Sequence, residues 1–268
     1  MTNRPIRLVA LDVDDTLLTD DLTISPRVRQ AIHEAMARGV TVILATGRMF
    51  PAARPYAKEL GLTGPLITYN GALTRTADGD AWWHRPVPRP LALEVLDRAE
   101  AEGWDVQCYC DDRLFVPRID EGVRYYLDIA NVPAQTCSDM RALLQERETT
   151  KLLAIGEPEE TARRAEALTE AFAGRLTITI SKPRFVEMLD ASVSKAAALA
   201  EVARRLGVPR DQVLAIGDSF TDLEMIRWAG VGVAMGNAHP EVRARADFVV
   251  ATNMEEGVAE ALERFVLS

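Results

Sequence analysis

A short apolar run that ends in negative charge constrains this chain more than any other feature. Leu8, Val9, Ala10, Leu11 and Val13 have the character of a buried strand, yet Asp12, Asp14 and Asp15 close the run. A strand covered on both faces reads as continuous apolar residues, as expected in the middle of a parallel sheet. Carboxylates gathered at its end cost several kcal/mol per uncompensated ion, in order of magnitude, unless something neutralises them. The chain must therefore bring compensating groups to the same place.

Those groups stand at other strand ends. "VTVILATGR" is a second buried strand ending in Thr46-Gly47-Arg48, "PLITYNG" a third ending in Asn70-Gly71, "QVLAIGD" a fourth ending in Gly217-Asp218, and "VGVAMGN" a fifth ending in Gly236-Asn237, with "DFVV" as a short sixth. Helices alternate with these strands. "SPRVRQAIHEAMARG" carries a Ser25 cap, Pro26 in its first turn and Gly39 at its end. A second helix is expected between Arg48 and Gly61, with Pro51 and Pro55 disturbing its start, and another from Lys195 to Leu206. Strands alternating with helices predict an α/β fold, one doubly wound parallel sheet with right-handed crossovers.

The middle of the chain follows another pattern. "WDVQCYC" and "RLFVPR", separated by Asp111 and Asp112, suit an antiparallel hairpin. Helices "PLALEVLDRAEAEG" and "EPEETARRAEALTEAFAG" alternate there with strands "TKLLAIG", "LTITIS" and "RFVEMLD". This predicts an inserted α+β domain over residues 84–190, flanked by a core in two parts, 1–83 and 191–268. "HRPVPRP" and "DASVSK" mark the junctions.

In open parallel sheets ligands bind beyond the carboxyl ends of the strands, where the residues above converge. Asp12 and Asp218 can lie close together only around a cation, and hard oxygen ligands with room for water and phosphate select Mg2+. A metal-neutralised carboxylate can then act as a nucleophile toward phosphorus. Thr46 offers a hydroxyl, Gly47 a close backbone approach, and Lys195, at a helix start capped by Ser194, a positive charge at the anion-binding end. Together these residues describe a phosphoryl-transfer site.

The blocks also resemble a known family. "DVDDTLL", "ILATGR", "VSKAAAL" and "GDSFTDLEM" are similar, in order and spacing, to the motifs of the haloacid dehalogenase superfamily, and "YNGA" and "AMGNA" to its Cof-type branch (subfamily IIB). The resemblance implies a Rossmann-like core with a large (C2 type) cap inserted after the third strand, closing over the core and setting specificity. It implies that Asp12 attacks phosphorus to form an aspartyl-phosphate, while Asp14 protonates the leaving oxygen and then activates water. Mg2+ would be held by Asp12, the Asp14 carbonyl and Asp218, with Asp222 in support. Phosphate would be held by the Val13 backbone, Thr46, Gly47 and Lys195, with Thr221 where the family usually has Asn. Arg48, Asn70 and Asn237 would line the entrance, and Asp15, where the family often has Gly, belongs to the turn. Ala196 replaces a common Gly after the motif lysine, a change a helix tolerates.

The resemblance thus implies a Mg2+-dependent phosphatase of small phosphorylated metabolites, sugar phosphates or similar monoesters. A phosphomutase or dedicated sugar-phosphate phosphatase on the same core is the near alternative. A phosphoacceptor receiver domain is the alternative of another class, opposed by Asp14 two residues after Asp12 and by the long insertion. Arg113, Arg118, Arg184 and Glu187 are candidate specificity residues of the cap.

A formal net charge of −9 on 268 residues disfavours a nucleic acid or an anionic membrane as partner. The three cysteines Cys108, Cys110 and Cys137 lack CxxC spacing, which suits free thiols in a reducing compartment. No signal-peptide pattern or membrane-span-length apolar window is expected, and the cytoplasm is the expected location. A monomer or small homo-oligomer is expected. His33, His84 and His239 are scattered and suggest no metal site, and Trp82 and Trp83 read as packing residues.

Overall fold

The structure is a computed structural model describing residues 5–268. Its first part runs β1 (Leu8–Leu11), α1 (Pro26–Ala37), β2 (Thr41–Leu44), α2 (Phe50–Glu59) and β3 (Leu66–Thr68), then β4 (Leu73–Arg75) and β5 (Ala81–His84). An inserted segment follows: α3 (Arg89–Glu102), β6 (Val106–Cys110), β7 (Arg113–Val116), α4 (Glu121–Ala130), β8 (Ala134–Thr136), α5 (Met140–Glu146), β9 (Lys151–Ile155), α6 (Pro158–Ala171), β10 (Leu176–Lys182) and β11 (Phe185–Asp190). The chain closes with α7 (Lys195–Leu206), β12 (Val213–Gly217), α8 (Leu223–Trp228), β13 (Val231–Ala234), α9 (Pro240–Arg243), β14 (Phe248–Val249) and α10 (Gly257–Leu262). Two compact units result, His84–Val193 and the remainder.

In the larger unit five parallel strands lie in the order β14-β13-β12-β1-β2. A parallel bridge from Ala45 to Ile67 ties β3 to the edge of β2. The chain winds outward from β1 first through β2 and β3, then through β12, β13 and β14, so the winding reverses beside β1. That switch point is where a ligand crevice opens in doubly wound sheets. All four residues of β1 are fully buried, which explains their apolar run. Burial of Leu8 and Leu11 alone contributes roughly 2 to 3 kcal/mol each.

Register aims the strand ends. Leu11 pairs with Ile216 on one side and Leu44 on the other. Asp12, the next residue, donates its N–H to the Ile216 carbonyl at 3.0 Å, so it ends beside Gly217-Asp218. Helix α1 is capped as its sequence predicts, with Ser25 Oγ accepting from Val28 N–H. Helix α2 carries Pro51 in its first turn, where an N–H has no helical partner to lose, and forms with Pro55 inside it. Ser194 caps α7 by accepting from Ala197 N–H, and Gly207 ends that helix at φ 65°.

The smaller unit is a six-stranded sheet ordered β10-β11-β9-β6-β7-β8, antiparallel except between β7 and β8. Asp111 and Asp112 turn the β6–β7 hairpin at φ 52° and 56°, the paired left-handed conformation that matches strand twist. One face packs Cys108, Cys110, Leu152, Ala154, Val186 and Met188 against apolar residues of α3, α5 and α6. Alternation along the strands assigns Tyr109, Lys151 and Glu187 to the other face.

Gly71 fixes the start of α7. It sits at φ 106°, and a Cβ there would lie 2.3 Å from the Ser194 carbonyl oxygen. Gly71→Ala should therefore cost about 2 kcal/mol or more, against roughly 1 kcal/mol for Gly61→Ala, where nothing lies within 4 Å. Equal midpoints for the two variants in urea melts would contradict this close approach.

Candidate functional site

The site is built at the ends of β1, β2, β3 and β12. Directly after β1 the chain makes a tight turn over Val13–Leu17, closed by the Leu18 N–H on the Val13 carbonyl at 3.0 Å. Val13 is buried in it, and Asp15 takes the left-handed conformation at φ 57°, which aspartate tolerates better than most residues. Sequence reading alone assigned Asp15 to the turn, and its backbone fits that assignment.

Lys195 is the centre of the arrangement. It is 2% exposed, and its Nζ donates to Asp12 Oδ1 at 2.6 Å and to Asp222 Oδ1 at 2.5 Å. Burial works against its charge, but the two carboxylates outweigh it and raise the pKa, so the ammonium persists. Asp222, fully buried, uses its other oxygen to accept from the N–H groups of Asp218 (3.2 Å) and Ser219 (2.9 Å) and from Ser219 Oγ (2.6 Å). Its place is therefore that of an anchor for Lys195 and for the turn after β12.

Asp218 completes the acidic group. Oxygens of Asp12, Asp218 and Asp222 lie within 4.8 Å of one another. Thr16 Oγ1 donates to Asp218 Oδ1 at 2.8 Å. Burial, then the neighbouring Asp222 charge, raises the Asp218 carboxyl to about 7. Burial and Asp222 likewise push Asp12 well above the usual carboxylate range, with Lys195 pulling the other way. Three carboxylates share one ammonium here, and an all-oxygen donor set with surplus negative charge fits a hard divalent cation.

The second and third strand ends interlock. Thr46, fully buried, donates its N–H to Ile67 O at 2.9 Å, accepts the Asn70 N–H on its carbonyl at 3.0 Å, and accepts the Arg48 N–H on Oγ1 at 3.1 Å. Asn70 is buried at φ 55° and lies against Gly47, where a Cβ would approach its Oδ1 to 3.0 Å. Arg48 donates from Nε to Asp14 Oδ2 at 2.8 Å and from Nη2 to Asp14 Oδ1 at 2.6 Å, a two-pronged pair.

Two sequence-predicted residues are otherwise engaged. Thr221 shares a hydrogen bond with Ser219 Oγ at 2.8 Å. Asn237, exposed, donates from Nδ2 to the Asp15 carbonyl at 2.7 Å and accepts the Asn253 N–H on Oδ1 at 3.0 Å, tying the turn after β1 to a neighbouring segment. Thr16, Ser219 and Asn253 went unread as site residues, as did Tyr56, whose ring lies against the Arg48 guanidinium. Thr16 and Ser219 sit inside the motifs quoted above, so adjacency to Asp14 and Asp218 was the available signal. In the smaller unit, Glu187 is buried on Lys151 (2.9 Å), Arg184 pairs with Glu157 (2.5 Å) and Arg118 with Asp105 (2.7 Å), while Arg113 is exposed at the start of β7.

A doubly wound sheet with these residues at its switch point defines the class, and comparison agrees. The family model for haloacid dehalogenase-like hydrolases matches residues 9–262, and the chain belongs to that family, in its Cof-type branch. It is 34% identical over 265 residues, 98% of this chain and 96% of the relative, to the 5-amino-6-(5-phospho-D-ribitylamino)uracil phosphatase YcsE of Bacillus subtilis (strain 168). The crystal structure of TM0651 from Thermotoga maritima superposes with a TM-score of 0.88 at 31% identity, covering 97% of each chain. The subclass IIB sugar phosphatase BT4131 shares the fold, with a TM-score of 0.83 at 23% identity over 97% of this chain and 98% of its own. The chain is a phosphatase of this family. Among the described residues no helix is long and apolar enough to cross a membrane.

The raised carboxyls set a pH dependence. In the unfolded chain aspartate titrates near 4. The folded state therefore holds protons on Asp218 and Asp12 that the unfolded state has released, and stability falls as pH rises toward and through about 7. In chelator-containing buffer the melting temperature should decline from about pH 5 to pH 8, and Asp218→Asn should flatten that decline. An unchanged slope in the variant would show that the acidic group does not set it.

Proposed function

We propose that this chain is a Mg2+-dependent phosphatase that hydrolyses small phosphorylated metabolites, sugar phosphates or similar monoesters, through an aspartyl-phosphate on Asp12. One observation carries the reading: a buried ammonium and two further carboxylates, Asp218 and Asp222, surround Asp12 at the switch point, with another carboxyl two residues on.

Asp12, Asp218 and the Asp14 backbone carbonyl would hold the cation, which supplies neutralisation of the phosphate's charge as the nucleophile approaches. Asp222 orients Lys195 and the loop after β12. Lys195 neutralises Asp12 in part and presents positive charge to the phosphoryl oxygens, a stabilisation that grows as charge shifts in the transition state. Thr46, Gly47 and the Val13 backbone are proposed to grip the phosphate, with Asn70 lining the entrance. Asp14 would donate a proton to the departing oxygen and later take one from water.

Residues 84–193 are proposed as the cap that sets specificity. The phosphorylated ribitylamino-uracil in one relative's name is a compound of the size and class proposed here. The expected location is the cytoplasm.

Asp12→Asn should lower turnover of p-nitrophenyl phosphate at least about a thousandfold while circular dichroism stays unchanged, because the nucleophile is lost and the shape kept. Full activity in this variant would sink the mechanism. Chelation of the wild-type enzyme should abolish turnover and Mg2+ should restore it; activity indifferent to both would remove the cation from the reading.

A further inference from the structure

We infer that Arg48 is a positioning residue for Asp14, and that its guanidinium serves this carboxylate and does not bind the substrate's phosphate. The inference rests on the function proposed above and assigns one residue a part within it.

Arg48 is held at both ends. Its N–H donates to Thr46 Oγ1 at 3.1 Å, and its carbonyl accepts the Tyr69 N–H at 3.0 Å. Its guanidinium lies over the Tyr56 ring, 5.2 Å from the centroid, with Nη1 3.5 Å from the Tyr56 hydroxyl. The side chain is only 15% exposed, whereas that of Asp14 is 42% exposed. A carboxylate so open to water would sample several rotamers. The planar fork of an arginine bonding both its oxygens fixes the carboxylate plane, which a lysine's point charge does not.

The backbone around Asp14 is pinned separately. The Leu18 N–H closes the turn on the Val13 carbonyl, and Asn237 holds the carbonyl of Asp15. These contacts act on the backbone; on the side chain, the Arg48 fork bonds both Asp14 oxygens and sets the plane of the carboxylate. The charge beside Asp12 comes from Lys195, so the nucleophile does not call on Arg48.

The reaction makes two demands on Asp14. First, an Asp12 oxygen bonds to phosphorus as the bond to the leaving oxygen breaks, and that oxygen takes the proton of the Asp14 carboxyl. Second, the Asp14 carboxylate takes a proton from water, whose oxygen bonds to phosphorus as the Asp12–phosphorus link breaks, giving inorganic phosphate and the free Asp12 carboxylate. A nitrophenolate leaves with little protonation, so misplacing Asp14 weakens the second step most.

The test compares wild type, Arg48→Gln, Arg48→Lys and Tyr56→Phe on p-nitrophenyl phosphate, in steady state and by stopped flow. Both Arg48 variants should lose kcat by roughly tenfold to a hundredfold, a fraction of what acid–base catalysis contributes, with KM falling alongside it so that kcat/KM changes far less, as slowed hydrolysis of the intermediate requires. They should also release a burst of nitrophenolate close to the enzyme concentration, because the aspartyl-phosphate then accumulates. Tyr56→Phe should show a smaller loss of the same kind. Should Arg48→Gln fail to fold, Arg48→Lys carries the same reading, since it keeps the charge and loses the fork. A KM raised about tenfold or more with kcat retained and no burst would assign Arg48 to substrate binding and overturn the inference. Wild type without turnover would overturn the proposed function itself, and this inference with it.

Discussion

Lys195 places one buried ammonium between two buried carboxylates, and the surrounding rim is arranged around that contact. Desolvating a lone ammonium or a lone carboxylate is costly, so removing any one member leaves the others poorly compensated. The Ser194 cap and the Gly71 contact fix where the lysine starts. Strand register fixes where Asp12 ends. Asp222 spends its second oxygen on the loop after β12 and so joins the lysine to Asp218. The result is an electrostatic arrangement with negative charge in surplus, suited to a cation and a phosphoryl group.

Around this centre lies a second layer of hydrogen bonds whose members touch backbone more than they touch each other. Asn253 donates to the Leu18 carbonyl at 3.0 Å and, through its own N–H, holds Asn237, which in turn holds Asp15. The turn that carries Asp12 and Asp14 is thus fixed from outside as well as from within. Preorganisation of this kind lets charged groups face the reaction without rearranging during it.

Much of the fold is legible in the sequence, because buried parallel strands write themselves as apolar runs with polar turns at their ends. Six strands of the larger unit, β1, β2, β3, β12, β13 and β14, carry that signature, and the Ser25 and Ser194 caps are legible from their residue types. What escaped reading has physical reasons. β8 is three residues long, too short for periodicity to speak, and β4 and β5 follow a turn whose φ values no composition reveals. Helices α4 and α5 went unread although Asp120 and Asp139 cap them. Within the site, residue types and order pointed to Asp12, Lys195 and Asp218, which the structure brings together. Side-chain direction was not legible: Asn237 reads as an entrance residue and turns out to bind backbone at both ends, Arg48 turns to Asp14, and the Thr221 hydroxyl goes to Ser219.

The account stands on Asp12 becoming covalently phosphorylated. Enzyme mixed with a phosphomonoester, quenched in acid within milliseconds and digested should yield the peptide carrying Asp12 with one added phosphate, at a substantial fraction of the enzyme. The adduct should vanish in Asp12→Asn. Phosphate on another residue, or turnover at full rate with no adduct at any quench time, would contradict the account.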